Sequence, residues 1–176
     1  IASNNGSECG GGIGLNYDTI ASITNNLFIG NVATEYAGGG AIGVKDGSAD
    51  IANNTFVGND AGLTLGGAVL VTSDTDTELV NNIFYYNTAG AGHAVARSGQ
   101  PACLVSHCDA YPGYGAYHNI TPGAGCVTED PVFCGTIEHP YWLHSQSPVR
   151  DIGLSPARNN CVPVADRESR PRPGSD

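Results

Sequence analysis

The stretch Ile-Thr-Asn-Asn-Leu-Phe at residues 23–28 recurs as Ile-Ala-Asn-Asn-Thr-Phe at 51–56 and as Leu-Val-Asn-Asn-Ile-Phe at 79–84. Each copy begins 28 residues after the one before it, and the match continues into a further asparagine and alanine downstream of each phenylalanine. A repeat of this length decides the fold, because a single unit buries its apolar face only against its neighbours in a stack.

A second repeated feature, a pair of glycines followed by small and aliphatic residues, precedes each copy. The pairs are Gly11-Gly12, Gly39-Gly40 and Gly66-Gly67. Each unit therefore holds two or three short strand-like runs separated by glycine or asparagine corners, with no helical stripe between them. Propeller blades need about 40 residues, and leucine-rich repeats need leucines that these units lack. The sequence predicts an all-β fold, a parallel β-helix of about five turns spaced by ~4.8 Å.

In such a solenoid, equivalent residues of successive turns form columns. Phe28, Phe56 and Phe84 are expected to stack inside as an aromatic column, and the aliphatic residues that open each copy as a second one. One asparagine of each pair is expected at a sharp corner, where it tolerates positive φ and hydrogen-bonds its counterparts in adjacent turns. Residues 104–107, which fall 25 residues after 79–82, are predicted to form a last degenerate turn.

Composition excludes several classes of protein. The formal net charge is −10 and Lys45 is the only lysine, so the chain lacks the basic footprint that nucleic acids or anionic membranes require. No run of 18 apolar residues is present, so membrane insertion is not expected. The first residue is Ile1 rather than methionine, from which we expect a trimmed chain or a fragment.

Six cysteines without a Cys-x-x-Cys pair predict disulfides and an oxidising compartment rather than a zinc site. Cys103 with Cys108, and Cys126 with Cys134, are near in sequence and are the expected local pairs. Cys9 and Cys161 remain as the third pair, which is harder to form because they lie at opposite ends of the chain. Buried unpaired thiols are the alternative interpretation.

The glycine box followed by the Asn-Asn-x-Phe-x-x-Asn box resembles the repeats of polymorphic outer membrane proteins and related right-handed β-helix proteins. This resemblance covers residues 1–100 and implies a right-handed solenoid. Residues 101–176 resemble the loop-rich closing part of secreted bacterial β-helix proteins, through Asp130-Pro131-Val132-Phe133, Tyr141-Trp142-Leu143 and Asp151-Ile152-Gly153. The family's terminal segment is missing after Asp176, which implies a truncated C-terminus within the same domain.

Candidates for catalysis are weak. His107 and Asp109 form a possible acid–base pair, although His107 also fits the polar corner that asparagines fill in earlier turns. Gly92-His93 and Arg97 faintly resemble the Gly-His-Gly and Arg-x-Lys motifs of polygalacturonases, which are β-helices as well. The second glycine and the lysine of these motifs are missing here, and so are the clustered aspartates that this enzyme class needs. The favoured interpretation of Gly92-His93 is a fourth, decayed glycine box.

Two further groups are candidates for binding. Asp74, Asp76 and Glu78 could give oxygen ligands to calcium, the only cofactor considered, but their spacing is typical of an exposed acidic loop. Tyr85 and Tyr86 follow Phe84, so one ring should face outward, and Tyr114 and Tyr117 lie in a Gly/Pro-rich loop. All four tyrosines are candidates for stacking on sugars, and for Tyr114 and Tyr117 packing of the loop onto the solenoid is an equal alternative.

Three functions fit these observations. The first is a non-catalytic module of a secreted or cell-surface β-helix protein, used for adhesion or contact with a polysaccharide or surface glycan. The second is part of a polysaccharide lyase or glycoside hydrolase of the pectin-lyase-like class. The third is a structural stalk. The fold alone cannot choose among them.

Overall fold

A computed structural model of the protein describes residues 1–7, 9–34, 38–72, 76–99 and 102–153. All regular structure in these ranges is β, in fifteen short strands. The strands are β1 Asn5–Gly6, β2 Ile13–Asn16, β3 Ile20–Thr24, β4 Leu27–Ile29, β5 Val32–Ala33, β6 Ile42–Lys45, β7 Ser48–Ala52, β8 Thr55–Val57, β9 Val69–Thr72, β10 Thr77–Val80, β11 Ile83–Tyr85, β12 Val95–Ser98, β13 Cys103–Ser106, β14 Asp109–Tyr111 and β15 Tyr117–His118.

Three parallel sheets run along the axis of a β-solenoid. The first sheet has the order β2-β6-β9-β12-β15, the second β3-β7-β10-β13 and the third β4-β8-β11-β14. Each turn contributes one strand to every sheet, and all strand pairs are parallel. This is the predicted parallel β-helix, with about four complete turns. Part of the fifth expected turn is present as β1, which pairs with β5, and as β15 at the other end.

The aromatic column forms as predicted. Phe28 stacks on Phe56 with ring centroids 4.9 Å apart and planes 8° from parallel, and Phe56 stacks on Phe84 at 4.9 Å and 11°. All three rings are buried. Ile23, Ile51 and Leu79 form the adjacent aliphatic column, also buried, and Val105 continues it into the fourth turn. The core is therefore a set of side-chain stacks one strand spacing apart.

The two asparagines of each pair have different roles. The first, represented by Asn25, Asn53 and Asn81, adopts the left-handed conformation with φ of 59°, 58° and 57°. The second forms the ladder: the backbone N–H and Nδ2 of Asn54 both donate to Oδ1 of Asn82, at 2.9 and 3.1 Å. The positive φ and the amide ladder, expected of a single asparagine, are thus divided between the two members of each pair.

A second asparagine ladder runs at the next corner. Its members are Asn4, Asn31, Asn59 and Asn87. The Nδ2 group of Asn31 donates to Oδ1 of Asn59 at 2.8 Å, and that of Asn59 donates to Oδ1 of Asn87 at the same distance. These are the downstream asparagines of the sequence repeat, so two of the solenoid's corners are held by stacked amides.

The register of the last turn differs from the sequence alignment by one residue. Val80 pairs with Ser106, so His107 follows Asn81 in its column and Cys108 follows Asn82. The step is therefore 26 residues rather than 25. The first glycine box is also shifted, because Ile13 pairs with Ile42 and this places Gly10-Gly11 opposite Gly39-Gly40. Gly10, Gly39, Gly66 and Gly92 share the positive φ that defines this corner.

The expected pairing of Cys103 with Cys108 does not fit the geometry of β13. Cys103, Cys108, Cys126 and Cys134 all have free thiols, as does Cys9. Cys103 begins β13 and Cys108 lies beyond its far end, so an extended strand of ~10 Å already separates them, which is more than the ~7 Å a disulfide spans. Cys126 packs against the core, whereas Cys134 is exposed. Cys161 lies outside the described residues.

The chain after the last turn forms a strap, residues 127–153, that runs back along the third sheet. Val127 bridges Asp109 in the fourth turn, and Phe133 packs on Tyr85 in the third turn with centroids 5.1 Å apart. Residues 138–143 then line a groove with Asn25 and Asn53 in the first two turns. The described part of the chain contains no helix with the length and apolar character needed to cross a bilayer.

The ladder predicts unequal costs for the two asparagines of a pair. Asn54→Ala removes the oxygen that accepts from the backbone N–H of Asn26 and the Nδ2 that donates to the Ile23 carbonyl. Leaving these buried groups unpaired should lower the free energy of unfolding by about 3 kcal/mol. The matched variant Asn53→Gly keeps the positive φ and should cost less than about 1 kcal/mol. Denaturant titration measures both, and equal losses would contradict the division of roles.

Candidate functional site

The catalytic candidates on the first sheet are His93 and Arg97. His93 occupies the second position of the glycine box, and its Nδ1 accepts a hydrogen bond from the backbone N–H of Ala89 at 3.1 Å. Arg97 pairs with Val71 and therefore continues the inward column of Val44 and Val71 into the fourth turn. The two side chains thus lie at a corner and in an interior column.

The pair His107 and Asp109 is separated by the corner between the second and third sheets. His107 has the left-handed conformation of the corner, with φ of 50°. Its Nδ1 and the Oδ2 atom of Asp109 are both buried and neither has a hydrogen-bond partner within the described residues. The structure therefore does not bring the four candidates together as one acid–base arrangement.

Asp109 is nevertheless electrostatically unusual. Its side chain lies on the outer face of the third sheet, where the strap covers it until only 1% is exposed. Burial, together with the neighbouring carboxylates Glu129 and Asp130, raises the pKa of Asp109 to about 7, although the backbone N–H of Glu129 donates to Oδ1 at 3.0 Å and opposes this rise. The carboxyl group therefore titrates near neutral pH at the contact between strap and solenoid.

The calcium candidates are only partly described. Asp76 and Glu78 are exposed, and Glu78 points outward from β10, while Asp74 lies outside the described residues. Within the described ranges, no three histidine, cysteine or acidic side chains are grouped as metal ligands.

A tyrosine patch, formed by Tyr85, Tyr86 and Tyr111, lies on the outer face of the third sheet. Tyr85 and Tyr111 stack across adjacent turns with centroids 5.9 Å apart and planes 17° from parallel. Tyr86 stands at 86° to both rings, 4.6 Å from Tyr85 and 5.6 Å from Tyr111. The sequence candidates Tyr85 and Tyr86 are thus joined by Tyr111, which follows Tyr85 by the same 26-residue step as the rest of the last turn.

Tyr86 is in an unfavourable backbone conformation. Its φ is 50°, and the equivalent positions in the two preceding turns are Gly30 and Gly58, with φ of 57° and 58°. A left-handed conformation costs a bulky residue about 1–2 kcal/mol, and such strain is concentrated at functional sites. The side chain is also 52% exposed. Tyr86 thus replaces a favourable glycine with an exposed aromatic ring.

The strap extends this patch. Phe133 contacts Tyr85 and then Tyr141, whose ring centroid is 5.6 Å away. The Asp130 carboxylate is near enough to contribute to raising the pKa of Tyr85, after burial, and of Tyr111, after the hydrogen bond with Tyr86. The outer surface of the third and fourth turns therefore combines aromatic rings with an acidic hydrogen-bond acceptor.

The other two tyrosine candidates lie elsewhere. Tyr114 is 89% exposed and has no aromatic partner among the described residues. Tyr117 pairs with Val95 and continues the inward column of Ile42, Val69 and Val95, with its hydroxyl buried. Its position closes the end of the core and leaves no open ring face for a sugar.

A groove of about 190 Å³ lies between the strap and the first turns. Its walls are Asn25, Asn26, Leu27, Asn53, Thr55, Ile83 and residues 138–143. The Oδ1 atom of Asn53 is buried there without a hydrogen-bond partner in the described structure. His139 and Trp142 stack on each other at 3.4 Å and 6° beside it. Tyr141 lines the groove and contacts Phe133, so groove and tyrosine patch are parts of one face.

Comparisons with known proteins identified no relative of the chain. No family model matches the chain, and no curated protein or solved structure is significantly similar to it. The resemblance to outer membrane protein repeats thus has no support from these comparisons, whereas the parallel β-helix itself is shown by the geometry.

Burial of Asp109 predicts a dependence of stability on pH. A carboxyl group with a raised pKa favours its protonated form in the folded state, so its stabilisation is complete below pH ~4 and is lost as the pH rises towards 7. Asp109→Asn removes this loss. The variant should therefore gain about 4 kcal/mol relative to the wild type between pH 4 and pH 8.

Thermal unfolding at both pH values measures this difference. The control is Asp50→Asn, which alters an exposed aspartate on β7 and should follow the wild type at each pH. If the two variants behave alike, Asp109 does not titrate in a buried environment.

Proposed function

We propose that this chain is a non-catalytic module of a secreted or cell-surface protein and that it binds neutral glycans along the outer face of the third sheet. The observation that carries the proposal is Tyr86, an exposed ring held in a strained conformation at a position where two earlier turns have glycine. Packing of the core does not require this residue. A surface role for the ring explains why the strain is retained.

The chemistry of the tyrosine patch fits a sugar ring. The C–H face of a pyranose is apolar and packs against the face of an aromatic side chain, which offers a large, rigid surface with little loss of side-chain entropy. The tyrosine hydroxyls and the Asp130 carboxylate offer partners for the sugar hydroxyls. Because the chain has a net charge of −10 and Asp130 adjoins the patch, uronic acids are disfavoured and neutral sugars favoured.

The groove supports binding of a chain of sugar units rather than a single ring. It lies in the first two turns, and the patch lies in the third and fourth, so their centres are separated by roughly 10 Å at the spacing of parallel strands. Tyr141 lines the groove and also contacts Phe133 beside the tyrosine patch, so a sugar chain could extend from the groove to the patch.

Secretion or surface display is supported by the sequence alone. The repeated glycine and asparagine boxes resemble those of surface β-helix proteins, and six cysteines favour an oxidising compartment. The rival function, a lyase or hydrolase, would need a base or paired carboxylates to converge. His93, Arg97, His107 and Asp109 occupy separate structural positions, which favours the binding function.

Tyr86→Gly tests the proposal. The variant restores the residue found in the earlier turns, so the fold should keep its thermal midpoint within a few degrees while losing the exposed ring. Affinity for a neutral polysaccharide should fall by about tenfold or more, as for a central aromatic anchor. Affinity electrophoresis against neutral and uronic-acid polysaccharides gives the measurement.

The matched control is Tyr17→Gly, since Tyr17 also has positive φ, at 50°, and is 80% exposed but lies on another face. This variant should bind as the wild type does. Equal binding by Tyr86→Gly and the wild type, or a preference for polyuronates, would contradict the proposal. New reducing or unsaturated ends that disappear in His93→Ala or His107→Ala would instead establish the enzymatic alternative.

A further inference from the structure

Two cysteines face each other across the end of the solenoid. The Val127 N–H donates to the Cys108 carbonyl at 2.9 Å, and the Ala110 N–H donates to the Val127 carbonyl at 3.1 Å. This is a parallel bridge between Asp109 and Val127. The residues immediately before them, Cys108 and Cys126, are therefore neighbours on adjacent chains about 4.8 Å apart, within the ~4.4–6.8 Å range of disulfide Cα atoms.

Both side chains are on the interior side. Asp109 points outward, so the preceding residue points into the solenoid. Cys108 is fully buried in the asparagine column, where Nδ2 of Asn82 lies 3.8 Å from its Sγ atom. Cys126 packs against the same core with its Sγ atom 3.7 Å from the Val105 carbonyl oxygen. Neither of the other two cysteines in the described C-terminal part shares this register: Cys103 lies in a different column, opposite Thr77, and Cys134 is exposed on the strap.

We propose that Cys108 and Cys126 form a disulfide that fastens the last turn of the solenoid to the start of the strap. The oxidant is a small-molecule disulfide such as oxidised glutathione. The Cys126 thiolate attacks one of its sulfurs and releases one thiol, and the Cys108 thiolate then attacks the Cys126 sulfur and releases the second. Two protein thiols lose two protons and two electrons, and one small disulfide is reduced to two thiols.

The environment determines when this bond forms. Burial raises the pKa of Cys108 to about 12, so the folded protein holds almost none of the reactive thiolate at neutral pH. Oxidation of the folded, reduced chain should therefore be slow. During folding, before Cys108 is covered, both thiols are accessible and the bond closes readily. The disulfide is thus a structural cross-link rather than a reversible redox switch.

The bond would stabilise the part of the molecule from which the strap begins. It closes the segment between residues 108 and 126 and so restricts the unfolded chain. It also fixes the entry of the strap, which carries Phe133 and Tyr141 onto the third sheet. This inference depends on the register of the last turn and does not require that the protein binds glycans.

The experiment is disulfide mapping of the whole chain, refolded in a glutathione redox buffer and alkylated without reduction. Chymotrypsin cuts after Tyr114 and Tyr117, which separates Cys108 from Cys126, and tandem mass spectrometry then locates the linked residues. We expect a Cys108–Cys126 peptide, with Cys103 and Cys134 alkylated. Reductant should lower the thermal midpoint of the oxidised protein by roughly 6–10 °C.

Two variants make the test specific. Cys126→Ser should abolish both the linked peptide and the response to reductant, whereas Cys103→Ser should preserve both. Alkylation of Cys108 and Cys126 after oxidative refolding, or linkage of either to another cysteine, would overturn the proposal. A thermal midpoint of the wild type that is insensitive to reductant would do so as well.

Discussion

Stacked amides at the solenoid's corners are the interaction on which the rest of the structure depends. At each turn, one side-chain oxygen accepts from both the backbone N–H and the side-chain amide of its counterpart, as Asn82 does for Asn54. The amide of Asn54 also reaches the Ile23 carbonyl, 31 residues away. A corner has no regular strand pairing, and these bonds satisfy buried polar groups that would otherwise each cost about 1–3 kcal/mol.

This constraint also fixes the segment between the two ladders, because five positions separate Asn26 from Asn31, Asn54 from Asn59 and Asn82 from Asn87. An inserted or deleted residue within this segment would move an amide out of its column, and the phenylalanine column would lose register with it. Outward positions carry no such requirement. The position that is glycine at residues 30 and 58 is tyrosine at 86, and the outward column of Ile29 and Val57 becomes tyrosine at 85 and 111. Surface chemistry can therefore change from turn to turn while the core is kept.

The sequence alone predicted what the repeat controls. The phenylalanine and aliphatic stacks form as expected, because an identical spacing in three copies defines a column. The last turn was misaligned by one residue, since its step shortens to 26 and a cysteine replaces the ladder asparagine. The path of the strap was not predictable, because residues 127–153 contain no repeat and are placed by tertiary contacts with Tyr85 and Asp109. The groove and the burial of Asp109 both follow from that placement.

Departures from the repeat are concentrated where the stack ends, and this location has a physical cause. An interior turn is covered by neighbours on both sides, whereas the last one must close the core by itself. Tyr117 extends the column of Val69 and Val95 with a larger side chain, and Cys108 ends the ladder with an atom that needs no further amide. Once the ladder ends, the chain is released from the 28-residue period and can fold back as the strap. The end of the ladder at Cys108 therefore has two consequences. The core is closed there, and the strap that follows places its aromatic rings on the third sheet, where the candidate binding face lies.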